Sequence, residues 1–72
     1  MVAIRNVGVV KFWKEAHGYG FIVPEQNNLV DVFVHRSALP EGIEELIEGQ
    51  RVSYETERSH KGHKAVAVKL EQ

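Results

Sequence analysis

The chain has 72 residues, no cysteine, and nine lysines and arginines against ten acids, for a net charge of −1. So short a chain makes one small domain, taken as residues 1–72, with no room for a βαβ nucleotide fold or a cleft between domains. The missing cysteines exclude disulfides and thiolate metal sites, and no apolar run approaches the roughly 20 residues of a membrane span; a cytoplasmic protein without metal or cofactor is expected.

Val7 to Trp13 reads as the first strand, rich in β-branched and aromatic residues, with Gly8 as a point for bending. Both its faces carry apolar groups, so alternation leaves open which one is inside. Lys14, Glu15, Ala16 and His17 form a polar break of hairpin length. Tyr19 to Pro24 is the second strand, ended by a residue that cannot donate to a ladder. Glu25 to Asn28 is turn chemistry, because asparagine tolerates left-handed backbone. Asp31 to His35 is the third strand, and Arg36 to Gly42 then leaves the sheet. Ile43, Leu46 and Ile47 have the spacing of a single helical turn, which Gly49 would stop. Val52 to Glu57 alternates with Val52 and Tyr54 inward. Ser59 to Lys64 is a polar, basic hairpin loop, and Ala65 to Leu70 alternates again with Val66, Val68 and Leu70 on one face.

Five short strands with one short helical turn between the third and fourth predict an all-β fold. A five-stranded antiparallel barrel closes most of the edges that a flat sheet would expose. The expected inward set is Val10, Gly20, Ile22, Val32, Val34, Leu46, Val52, Tyr54, Val66 and Val68. Tyr19, Phe21, Phe33 and His35 are left outside. Exposed rings are costly unless used, so an outward cluster of them points to a binding surface. Tyr19 and Phe21 each follow a glycine and stand two apart, on one strand face, open to something flat such as a nucleobase. Charge is segregated as well: Glu41, Glu44, Glu45 and Glu48 crowd one stretch, whereas Arg58, Lys61 and Lys64 occupy another without an acid among them.

The run Val10-Lys11-Phe12-Trp13, then His17-Gly18-Tyr19-Gly20-Phe21-Ile22, then Asp31-Val32-Phe33-Val34-His35 and Ser37-Ala38, resembles the cold-shock domain. The glycine-aromatic segment is similar to that family's first ribonucleoprotein motif, and Val32 to His35 to its second. Glu48 to Glu55 is similar to its fourth-strand entry, and Lys61-Gly62 with Ala65 and Val68 to its last hairpin. The resemblance implies an OB-type barrel that binds single-stranded RNA or DNA by stacking bases on surface aromatics, as a monomer acting in RNA chaperoning or in regulating transcription or translation. Carried over by position, the platform is Phe12, Trp13, Tyr19, Phe21, Phe33 and His35, while Lys11, Asp31 and Lys61 match nucleic-acid contacts. A different class, an OB-type module docking a peptide on the same patch, is the alternative.

Several positions depart from the family pattern. The usual tryptophan-phenylalanine order is reversed at Phe12 and Trp13, Lys14 stands for an asparagine, and His17 stands for a lysine. Arg36 and Ile43 occupy positions that carry aromatics in the bacterial pattern, and His63 replaces a frequent proline. A shorter footprint or weaker affinity is expected, with Arg36 partly compensating because a guanidinium can stack on bases and pair with phosphate. Other chemistries fit poorly. The histidines lack the carboxylate or thiol spacing of a metal site, and Gly18-Tyr19-Gly20 lacks the lysine and helix of a phosphate loop.

Overall fold

In the computed structural model, which describes residues 5–25, 30–59 and 62–71, five strands close a barrel in the order β1-β2-β3-β5-β4. They are β1 (Asn6–Lys14), β2 (Tyr19–Pro24), β3 (Val32–His35), β4 (Arg51–Ser59) and β5 (Gly62–Leu70). β1 with β2, β2 with β3, β4 with β5 and β1 with β4 pair antiparallel. The closing pair of β3 and β5 is parallel, through Phe33 opposite Lys64 and Val34 opposite Ala65. Parity requires this. Five strands in a ring cannot alternate direction at every step, so one seam must run parallel. The all-β barrel is therefore as expected, with one exception to the antiparallel pattern.

The helical turn between β3 and β4 is present but elsewhere than the apolar spacing suggested. A 3-10 turn spans Arg36–Ala38, while Ile43 to Ile47 form no helix. Two glycines at φ 88°, Gly42 and Gly49, each sit third in a four-residue turn closed by a backbone bond, Ile43 N–H to the Pro40 carbonyl and Gln50 N–H to the Ile47 carbonyl. Positive φ at that position is what a type II turn requires and glycine supplies. So short a segment gains little from helix nucleation. Only Leu46 reaches the core; Ile47 is 67% exposed. No helix among the described residues is long and apolar enough to cross a membrane.

The core is Val10, Ile22, Val32, Val34, Leu46, Val52, Tyr54, Ala65 and Val68. Gly20 is buried as expected, but Val66 is only half-buried and Ala65 takes its place. The reason is an extra residue on β5: Ser53 faces Lys69 and Glu55 faces Val66, so three steps on β5 match two on β4. A bulge shifts the period-2 pattern by one residue, and the two inward positions become Ala65 and Val68, three apart. Ala67 sits in this bulge at φ 51°, a left-handed conformation that costs an alanine roughly 1–2 kcal/mol. The Arg5 side chain fastens the bulge, donating to the carbonyls of Ser53 and Ala67 and pairing with Glu55 at 3.3 Å. Ala67→Gly is expected to raise stability by about 0.5–1 kcal/mol, because relief of the left-handed strain exceeds the added chain entropy. Urea denaturation of both proteins checks this, and a destabilised variant would refute it.

β4 and β5 also run longer than their alternation suggested, pairing out to Ser59 opposite Gly62. The predicted loop over Ser59–Lys64 is thus strand at both ends. His60 and Lys61 lie outside the described residues, as do Gln26, Asn27 and Asn28 of the predicted turn after β2.

Candidate nucleic-acid interface

β2 and β3 carry the glycine-aromatic motifs side by side. Their register sets Tyr19 opposite His35, Gly20 opposite Val34, Phe21 opposite Phe33, and Ile22 opposite Val32. Alternation sends Ile22, Val32 and Val34 into the barrel and leaves Tyr19, Phe21 and Phe33 on its outer face. There the rings form one continuous row. Phe12 and Phe21 have centroids 5.5 Å apart, Phe21 and Phe33 5.8 Å in an edge-on arrangement, and Phe33 and Tyr19 5.7 Å, nearly parallel. His17 extends the row at 6.2 Å from Tyr19.

Phe12 joins this row because β1 is bulged. Val10 faces Ile22 and Phe12 faces Phe21, so Lys11 is the extra residue. Without the bulge Phe12 would turn inward with Val10. Instead Phe12 points out, and Trp13 packs against the margin of the core, its Nε1 buried without a hydrogen-bond partner. The two adjacent aromatics, expected together on the platform, thus fall on opposite sides of the strand. The reversal of the family order puts the smaller ring in the row and the larger one beneath it.

The polar rim is arranged by short-range contacts. Lys14 is exposed at the end of β1, and its carbonyl accepts from the N–H groups of His17 at 3.0 Å and Gly18 at 2.8 Å. Gly18, at φ 71°, turns the chain into β2. His35 is exposed, and its Nδ1 accepts from the Ser37 N–H at 3.0 Å while meeting the Ser37 hydroxyl at 3.0 Å. The imidazole therefore caps the 3-10 turn through Nδ1. Ser37 was not among the expected site residues; histidine two positions before serine at a strand end is the signal that points to such a cap. Lys11 and Asp31, separate candidates in the sequence, form one ion pair at 2.8 Å. The Arg36 side chain lies along Gly18, and Lys61 falls outside the described residues. Beside the two parallel pairs of β3 and β5, a groove of about 590 Å³ lined by Phe33, His35, Ser37, Leu39, Lys64 and Val66 prolongs the surface beyond Phe33.

Comparison with known proteins gives this arrangement a family. Residues 6–71 match the family described as the 'Cold-shock' DNA-binding domain. The chain is similar to the major cold shock protein of Micrococcus luteus, 49% identical over 63 residues that cover 86% of this chain and 92% of that protein. It is 47% identical over 64 residues to the cold shock-like protein CspG of Shewanella violacea, covering 88% of this chain and 90% of that one. It is also 47% identical over 62 residues to the cold shock-like protein CspE of Escherichia coli, covering 85% and 88%. The chain belongs to the cold-shock domain family, whose members bind nucleic acid and are not enzymes.

Proposed function

We propose that the chain, as one monomeric cytoplasmic domain over residues 1–72, binds single-stranded RNA or DNA by stacking bases along the outer aromatic row and so holds RNA structure open as a chaperone. The observation that carries this is the row itself: Phe12, Phe21, Phe33 and Tyr19 lie half-buried in contact on one barrel face while the aliphatic residues fill the inside. Every base has a π-face, so each ring contributes roughly 1–3 kcal/mol with little sequence preference. A duplex keeps those faces inside its helix. Trp13 supports the platform from beneath, His17 and His35 flank it, and Lys11, Lys14, Arg36 and Lys61 supply charge for phosphates, with Asp31 as an acceptor for base-edge donors. Stacking without an energy source traps strands that are already open, so the chaperone role rests on exchangeable binding. Arg36 and Ile43, at positions where the bacterial pattern carries aromatics, shorten the footprint.

Fluorescence anisotropy of labelled oligothymidine tests the reading. Micromolar protein raises the anisotropy, added salt lowers the affinity, and duplex of the same length does not compete. No anisotropy change at micromolar protein would sink it. The Lys11–Asp31 pair adds a sharper expectation. Asp31→Asn releases the ammonium to phosphate, so the variant binds oligothymidine more tightly in low salt, with a slope of log affinity against log salt steeper by about 0.7. An unchanged slope would show that Lys11 does not reach the backbone.

A further inference from the structure

We infer that Arg36 makes this platform selective for a guanine at one end of the bound strand; the inference rests on the stacking reading above. Arg36 follows His35, and its backbone N–H donates to the Gly18 carbonyl at 2.8 Å, which continues the β2–β3 pairing one step past Tyr19 and His35. Its side chain then runs back along Gly18. A β-carbon built on Gly18 would lie 3.5 Å from both Cζ and Nε of Arg36, so the guanidinium rests where the glycine leaves the backbone bare. The residues on either side of that glycine are His17 and Tyr19, the last rings of the row. The arginine is thus held at the end of the stacking surface by two local devices, the strand-like hydrogen bond and the glycine.

Its donors are also uncommitted. Lys11 is paired with Asp31, Lys64 with Glu57, Arg51 with Glu25 and Arg5 with Glu55, and the Trp13 Nε1 is buried. Among the described residues no ion pair or side-chain hydrogen bond involves Arg36. A guanidinium offers two parallel N–H groups in a rigid fork, and guanine presents two adjacent acceptors to match it, O6 and N7. Adenine sets a donor beside N7, and thymine alternates acceptor and donor; cytosine does set O2 beside N3, so cytosine at the same position is the control that must not reproduce the gain. In a single strand the guanine edge is free. Lys14, a cation close by, has a rounded ammonium that cannot make the forked contact. A phosphate could take the same fork, but such a contact carries no sequence information and would appear equally with every base.

The test is anisotropy with heptathymidine and seven variants carrying a single guanine at successive positions. One position is expected to bind about tenfold more tightly than thymine there, the order of discrimination of a bidentate pair. Replacing that guanine with 7-deazaguanine, which lacks N7, removes most of the gain. Arg36→Lys keeps the charge but not the fork, so the ratio of guanine-variant to heptathymidine affinity falls to about one, whatever the change in absolute affinity. Equal affinity for all seven variants, or a gain that survives 7-deazaguanine or Arg36→Lys, overturns the inference while retained heptathymidine binding leaves the stacking reading standing. Failure of the wild-type chain to bind any of the oligonucleotides overturns both.

Discussion

Phe33→Ala is expected to weaken oligothymidine binding by about 2 kcal/mol, roughly thirtyfold, while lowering folding stability by only about 1 kcal/mol. Phe33 is the hub of the row. It faces Phe21 across β2 and Lys64 across the parallel seam, and its ring contacts both Tyr19 and Phe21. Truncation removes one stacking surface and leaves its two neighbours without their partner, so Phe33→Ala and Tyr19→Ala combined should lose less than the sum of the two. The fold loses little by comparison, because the ring lies outside the cluster formed by Val32 and Val34 on the opposite face of the same strand. Urea denaturation and anisotropy on the same preparations separate the two effects. A variant that is strongly destabilised but binds normally while folded would place Phe33 in the packing of the fold rather than in recognition.

Gly20→Ala is expected to be the more damaging change to the fold, with a loss of about 3 kcal/mol. A β-carbon at this position would collide with the Phe12 carbonyl oxygen and come within 2.9 Å of the Trp13 ring at Cε3. Neither neighbour can give way cheaply. The Phe12 carbonyl belongs to the bulged stretch of β1, and the indole is wedged against the core. Gly20 therefore lets β1 and β2 close over a tryptophan that the more usual phenylalanine would fill less. Gly8→Ala tests the same principle further along the pair, where the added carbon would lie 2.7 Å from the Val23 carbonyl oxygen. Thermal unfolding with near-ultraviolet circular dichroism of Trp13 reads the effect. A Gly20→Ala protein with unchanged melting temperature and unchanged aromatic signal would show that the strands can separate without cost.

Together these two substitutions divide the motif that organises the chain. In His17-Gly18-Tyr19-Gly20-Phe21 the rings serve the surface and the glycines serve the approach of what lies beneath or beside them. Gly20 admits β1 and Trp13, and Gly18 admits the side chain of Arg36. Spacing alone predicts open faces for Tyr19 and Phe21. It does not say that the space left by each glycine is already occupied from within the protein.

Read alone, the amino-acid sequence determined the order and class of the strands, the inward residues from Val10 to Tyr54, and the pairing of two aromatic segments on one face. Each follows from local alternation and turn chemistry, which act over a few residues and are visible at that range. Tertiary structure alone decided which of two adjacent aromatics faces out, since the bulge at Lys11 puts Phe12 in the row and Trp13 against the core. The same holds for Ala65 over Val66, set by the bulge at Ala67, and for the union of Lys11 with Asp31, twenty residues apart. Alternation predicts facing only while a ladder is unbroken, and a bulge shifts every later residue to the other side. Where a ladder breaks depends on how a strand fits partners distant in sequence, and that fit exists only once the barrel has closed.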